Sequence, residues 1–381
     1  MDQTTYIYLD HAATTPLRST AKEAMRPYEE AIFGNPSSLY RGGILSKKAI
    51  RIAREQMAEG FGCMPEEIFF TSGGTESDNW VIKQSARDSR INQGGCHIIT
   101  GAIEHHAILH SCEAVAAEGF DITYLPCDEK SCYRVSDLEA ALREDTILVS
   151  LMLGNNETGA LQPIQEMAAL CRRRGIPFHT DAVQCVGHIP IDVNDLGIDM
   201  LSLSGHKFGG PKGIGALYIR KGTELSPFMD GGAQERLRRA GTENVAGIVG
   251  MGAALTDALT TMEYENKISR TLRRQTLYIL RSLCPDLIVN GTLDHGLPGH
   301  LNVTLPGHDA EEMILQLDQM GLYVSAGSAC ATGSPEPSHV LTAMGRSYME
   351  AQSTLRLSFG MTNKATDIEQ IDRAFHALLG E

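Results

Sequence analysis

The chain has 381 residues, 42% apolar and 21% charged, enough for about two or three units of roughly 150 residues and a core without staples. Lys plus Arg number 33 against 47 Asp plus Glu, and the net charge of -14 excludes general nucleic-acid binding. Nine scattered cysteines without a CxxC pair exclude a disulfide framework and a structural zinc site, and fit a reducing, cytoplasmic compartment.

The N-terminal stretch MDQTTYIYLDHAATTP has neither the basic start nor the apolar run of a signal peptide. No apolar run approaches ~18 residues, so no membrane span is expected. Short apolar runs at 68–71 (IFFT), 97–100 (HIIT), 146–151 (TILVSL), 176–180 (IPFHT) and 198–203 (IDMLSL) read as strands. Helix-length segments at 75–88, 105–118, 136–143 and 163–174 separate most of them. This alternation predicts an α/β fold with a mostly parallel sheet and helices on both faces. Residues 214–220 (IGALYIR) read as one more strand, antiparallel at a sheet edge.

Beyond residue 260 the pattern changes. Residues 263–284 predict a long helix with Ile268, Leu272, Leu277, Leu280 and Leu283 on its apolar side. Strands follow near 287–289, 300–304 and 354–359, with helices near 309–320 and 366–379. Thr366 and Glu369 suggest a capping box for the last helix, and Gly380 its stop. The expected organisation is a large domain over 14–260 and a smaller α+β domain over 261–381, joined by residues 1–13.

Six motifs can carry chemistry. Thr71-Ser72-Gly73-Gly74-Thr75-Glu76-Ser77 leaves a strand and opens a helix, where N–H groups and the Thr75 hydroxyl suit a phosphate. The same pattern suits a capped turn, with Glu76 and Asp78 as helix-start acids. Asp181 in HTDAVQ ends a strand where open sheets bind ligands. A buried Asp there needs a cationic partner such as a protonated pyridine, or else caps a helix. Gln184 can face the same cavity. Lys207 follows Ser204, Gly205 and His206 at a strand end, a position for an amine that condenses with an aldehyde.

Ser325-Ala-Gly-Ser-Ala-Cys330-Ala-Thr-Gly-Ser334 is too poor in bulk for a core strand, so Cys330 is a loop thiol, idle or nucleophilic. His105, in Glu104-His105-His106, can stack on a ligand or move a proton. His106 and His110 are spaced i, i+4, but with no third ligand nearby and no HExxH they do not predict a metal site. Arg356, opposite Leu355 and Leu357 in strand alternation, suits a carboxylate clamp or an interdomain ion pair.

A phosphate cup, an Asp for a pyridinium, a Lys for an aldehyde and an Arg for a carboxylate are what pyridoxal phosphate and an amino acid require. The sequence resembles cysteine desulfurases of the NifS/IscS type, in the class V aminotransferase-like group of fold-type I enzymes. The resemblance runs through YLDHAATTP (8–16), GNPSS (34–38), TSGGTESDN (71–79), NNETG (155–159), HTDAVQ (179–184), SGHK (204–207), RAGTEN (239–244) and GSACATGSPEPSHVL (327–341). It implies a seven-stranded-type sheet and pyridoxal 5'-phosphate. Lys207 would bind the cofactor covalently, Asp181 would pair with its ring nitrogen, and Gln184 and Asn156 would meet its ring-oxygen side. Gly74, Thr75, Ser204 and His206 would hold its phosphate, joined by Thr242 from a second protomer in a homodimer.

His105 would stack on the ring, move protons and serve as base for the Cys330 thiol. Arg356, Asn156 and Asn35 would bind L-cysteine. Cys330 would take sulfur as a persulfide, pass it to an acceptor protein (an iron–sulfur scaffold or a thiolation enzyme), and offer a transient iron–sulfur ligand. Two departures stand out: Tyr40 replaces the His usual after GNPSS, and Ala331 follows Cys330 where many relatives carry Thr. A selenocysteine lyase and an ordinary class V aminotransferase are the alternatives; the latter has no use for a thiol at Cys330.

Overall fold

The computed structural model describes residues 6–92, 94–326 and 337–380. β1 (Ile7–Tyr8) leads into α1 (Ser19–Glu30) and α2 (Arg41–Phe61), the latter stopped by Gly62 at φ 68°. Then follow β2 (Ile68–Thr71), α3 (Gly74–Ile91), β3 (His97–Gly101), α4 (His106–Ala117), β4 (Asp121–Leu125), α5 (Val135–Ala141) and β5 (Thr146–Ser150). The alternation continues with α6 (Ile164–Arg173), β6 (Phe178–Asp181), α7 (Val193–Leu196), β7 (Met200–Ser204) and β8 (Gly215–Ile219). These strands form one seven-stranded sheet in the order β2-β8-β7-β6-β5-β3-β4.

The inner strands are buried on both faces, which is why they read as unbroken apolar runs. β8 is antiparallel to both neighbours, but it lies between β2 and β7 rather than at the edge expected from sequence. The parallel strands β3, β5, β6 and β7 all end on one side of the sheet. Two reversals across β8 bring β2 into the same direction.

After the distorted turn α8 (Gln234–Leu237), α9 (Val245–Leu283) runs 39 residues, about 58 Å. It begins 18 residues before the helix expected from 263–284. Gly250 and Gly252 lie in this early part, and a Cβ at either would fall within 2.6 Å of Met25 or Gln56. Glycine and alanine thus serve close packing against α1 and α2. By length and composition α9 also meets the bilayer-crossing criterion, unlike the sequence expectation, which counted only continuous runs. Its Ile248, Met251 and Leu255 lie in the first core and its Leu272, Leu277 and Leu280 in another. It is the spine joining the two.

The second core is built on β9 (Ile288–Asn290), β10 (His300–Thr304), α10 (Ala310–Gln319), β11 (Leu322–Tyr323), β12 (Ser325–Ala326), β13 (Thr354–Ser358) and α13 (Ile368–Leu379). The strands β12-β13-β10-β9 make an antiparallel sheet, and β1 pairs with β11. Between β12 and β13 lie α11 (His339–Ala343) and α12 (Tyr348–Gln352). The cap before α13 differs from the Thr366–Glu369 box: Asp367 Oδ2 accepts from Lys364 N–H at 2.9 Å.

Candidate active site

The strand ends on the shared edge each contribute to one cavity of about 250 Å³. Gly74 and Thr75 come from the start of α3 beyond β2, and His105 from the turn after β3. Met152, Gly154 and Asn156 follow β5. Asp181, Val183 and Gln184 close β6, and Ser204, His206 and Lys207 close β7. This is where an open α/β sheet presents its ligand crevice. Gly74, Thr75, His105, Asn156, Asp181, Gln184, Ser204, His206 and Lys207 therefore meet around a single space.

One end is shaped for an anion. The first turn of the 18-residue α3 points into it beside Thr75, Ser204 and His206. A Cβ on Gly74 would sit 2.6 Å from Val183 Cγ2, so only glycine lets α3 approach β6 this closely. His206 Nδ1 pairs with Thr14 Oγ1 at 3.0 Å. Burial, then the charge of Lys207, lowers its pKa to about 4, leaving it neutral.

Two buried carboxyls mark the cavity floor. Asp181 Oδ1 accepts from Val183 N–H at 2.8 Å. Burial raises its pKa against the pull of that N–H and of Lys207. Asp78 lines the same cavity, and its Oδ1 has no hydrogen-bond partner among the described residues. Burial and the nearby Asp181 raise its pKa well above the usual range. From sequence Asp78 reads as a helix-start acid; lying one helical turn after Gly74, it faces inward with it. Glu76 does stay outside, paired with Arg239 at 2.8 and 3.0 Å.

Lys207 Nζ donates to the carbonyls of Ala12 at 2.6 Å and Ala13 at 2.9 Å, and Gln184 Nε2 donates to Ala12 at 3.0 Å. His105 caps α4, its Nδ1 accepting from Ala107 N–H at 3.1 Å. Burial, with Lys207 and His106, lowers its pKa to about 4. A neutral ring whose Nδ1 accepts carries its proton on Nε2. Near neutrality His105 is thus a donor, which does not suit the thiol-deprotonating role given to it from sequence.

The residues of this cavity fit pyridoxal phosphate. An amino-terminal helix end, two hydroxyls and an imidazole suit a phosphate, and Lys207 an aldehyde. Asp181, its Oδ1 held by the Val183 N–H at the cavity floor, is the buried carboxyl that a protonated ring nitrogen would meet.

Other expected residues lie outside the cavity. Arg356 is 2% exposed; its Nη1 donates to the carbonyl of Asn156 at 3.2 Å and its Nη2 to Asp10 at 2.8 Å. It stands behind the Asn156 wall, in an ion pair to the N-terminal segment. Asn35 and Thr242 are exposed, and Tyr40 is solvent-facing at α2's start. Cys330 lies outside the described residues.

His106 stacks on His110 and lies against His339, with ring centroids 5.0 and 4.6 Å apart. No group of three or more His, Cys, Asp or Glu among the described residues is arranged to hold a metal. The eight described cysteines are unpaired, and every one has a raised thiol pKa. Burial is the largest cause except at exposed Cys96, where a hydrogen bond to Asp145 leads.

Sought among known proteins, residues 7–371 match the aminotransferase class-V family. The chain is 49% identical over 365 residues to a cysteine desulfurase IscS of Methanosarcina thermophila, covering 96% of this chain and 90% of that protein. It is 47% identical to one from Dictyoglomus turgidum, covering 95% and 91%. Among solved structures, a NifS-like protein superposes with TM-score 0.92 at 34% identity, over 98% of this chain and 99% of that one. SspA in complex with cysteine matches at TM-score 0.81 and 38% identity, over 93% and 98%.

Proposed function

The chain belongs to the aminotransferase class-V family, and from that premise we propose that it is a pyridoxal phosphate-dependent cysteine desulfurase. It converts L-cysteine to L-alanine and takes the sulfur onto Cys330. The observation that carries this reading is the convergence of Lys207, Asp181, His105, Thr75, Ser204 and His206 on one cavity.

Thr75, Ser204, His206 and the α3 amides would hold the cofactor phosphate, and Asp181 would keep a proton on its ring nitrogen. The cofactor, when bound, supplies an electron-accepting ring that stabilises negative charge at the substrate Cα. Lys207 removes the Cα proton as general base. His105 would face the ring and donate from Nε2 rather than accept. Asn156, braced from behind by Arg356, orients the substrate carboxylate, with Asn35. The Cys330 thiolate attacks the substrate sulfur: an S–S bond forms, the Cβ–S bond breaks, and its electron pair stays with carbon, which gains a proton on the way to alanine. The raised thiol pKa values of the eight described cysteines leave none of them poised to compete as a thiolate.

A homodimer completes the site, with Thr242 reaching the partner's phosphate. Support comes from the exposure of Thr242 and Asn35 and of nearby apolar Phe33 (84%), Leu39 (94%) and Leu237 (67%). The persulfide passes to an acceptor protein of an iron–sulfur or thiolation pathway, as the IscS relatives suggest. Unpaired thiols suit a reducing compartment such as the cytoplasm.

The reading is tested by adding L-cysteine to the cofactor-loaded enzyme and measuring alanine and sulfide. Wild type yields both in the presence of a reductant. Alanine without released or bound sulfur, or transamination to a keto acid, contradicts it.

A further inference from the structure

The chain enters residues 327–336 from one core and leaves them into the other. Val324 and Ala326 pack with the small-sheet core. Val340, Leu341 and Met344, in and just after α11, are buried in the large-sheet core instead. The exit end is therefore seated on the unit that builds the cavity, although by sequence it lies amid the small one.

Two adjacent side chains make that seat. Ser338 Oγ donates to Glu157 Oε2 at 2.6 Å and accepts from Leu341 N–H at 3.2 Å, capping α11. His339 Nε2 donates to the Glu104 carbonyl at 2.9 Å, and its ring lies against that of His106. Each contact falls one residue from a cavity wall: Glu104 precedes His105, and Glu157 follows Asn156.

Both receiving turns are themselves braced. Glu104 Oε1 accepts from Tyr133 hydroxyl and Met152 N–H, each at 2.9 Å. Asn155 Oδ1 accepts from the N–H groups of Glu157 and Thr158, each at 2.9 Å, and Asn155 Nδ2 donates to the Ile103 carbonyl at 3.0 Å. Glu104 and Glu157 are both fully buried. The Ser338 and His339 contacts thus end on fixed ground rather than on solvent-facing loops.

We propose that Ser338 and His339 are positioning residues for sulfur transfer, pinning the exit end of the Cys330 segment to the turns that carry His105 and Asn156. The inference rests on the desulfurase reading above. Neither residue touches the cavity, so cofactor capture and substrate binding do not depend on them. The attack of Cys330 on the substrate sulfur does, because reacting atoms must be held to within about 1 Å, and misplacement on that scale costs about 10²-fold.

The test uses the cofactor-loaded enzyme with Ser338→Ala, His339→Ala, their combination, and the conservative Ser338→Thr and His339→Gln. Gln keeps an N–H donor for Glu104. Three quantities are read: cofactor absorbance, the cysteine Kd from its spectral change, and the single-turnover rate of sulfur labelling at Cys330. In the alanine variants the first two stay at wild-type values while the labelling rate falls by about 10- to 100-fold, and the conservative variants recover most of it. Unchanged labelling in the alanine variants overturns the proposal. So does parallel loss of cofactor, cysteine binding and labelling, which marks a merely structural role; should the double variant fail to fold, the single and conservative variants decide. If wild type forms alanine from cysteine but leaves no label at Cys330, the nucleophile assignment fails and the proposal falls with it; if wild type forms neither, the desulfurase reading itself has failed.

Discussion

The two walls of the active site are built on different principles. The cofactor wall is a row of strand ends from one buried sheet, where Asp181, Ser204 and Lys207 take their positions from β6, β7 and the turn after it. The substrate wall proposed above comes from afar: Arg356 sits on β13 of the other sheet, held by Asp10 from the N-terminal segment, and the described residues before 327 and after 336 pack on different cores. A rigid wall fixes the chemistry of a tightly held group, while a composite wall receives a substrate and passes on its sulfur. Substitutions on the first should disturb the cofactor, and those on the second should spare it.

The largest effects should divide along that line. Lys207→Ala should lower turnover by on the order of 10³-fold or more and abolish the lysine-bound cofactor's visible band. Cys330→Ala should also abolish sulfur transfer, yet keep that band unchanged. Loss of the band in Cys330→Ala, or its survival in Lys207→Ala, would break the division. Next, Arg356→Gln should raise the cysteine KM by roughly 10- to 100-fold, the scale of a lost charged hydrogen bond, without weakening cofactor affinity. A comparable fall in cofactor affinity would place Arg356 with the wrong wall.

Gly74→Ala should cost about 1–3 kcal/mol through the forced displacement of Val183, read as weaker cofactor binding and a lower Tm. A further effect concerns pH. Burial, ahead of the Met152 N–H and Asp181, shifts the Glu104 pKa from its ordinary value of 4.5 to about 8. The folded state then holds that proton more tightly than the unfolded state. Its contribution is full below pH 4.5 and is lost as pH rises through about 8. Glu104→Gln should flatten the fall in Tm between pH 5 and 8 relative to wild type. An equal slope in both proteins would remove Glu104 from the account.

How much of this was legible in the sequence follows the same division. Strands buried on both faces wrote themselves as apolar runs, and their chemical residues sat at the ends of those runs. β4 was not read, because as an edge strand with exposed Asp121 and Tyr124 it lacks such a run. α1 is polar and contains Pro27, and α2 opens on Arg-Gly-Gly, so neither advertised itself. The start of α9 hid behind glycines that serve packing.

Within the site, Asp78 and Glu104 were missed as functional groups because a carboxylate in sequence reads as surface. Only the fold shows both to be fully enclosed. Asp181 and Lys207 were legible because a charged group at the end of a buried apolar strand is costly to enclose unless a ligand or partner meets it. The roles of Asn35 and Thr242 came from resemblance alone, and neither lines the cavity at the strand ends.

The central claim is that cysteine sulfur moves to Cys330 while the carbon skeleton leaves as alanine. Incubating the cofactor-loaded enzyme with sulfur-labelled L-cysteine, without reductant, tests it directly. The account predicts reductant-releasable label on Cys330, formed in step with an equal amount of alanine and missing from Cys330→Ala. Label retained in that variant, or alanine formed by wild type with no label on the protein, would contradict it.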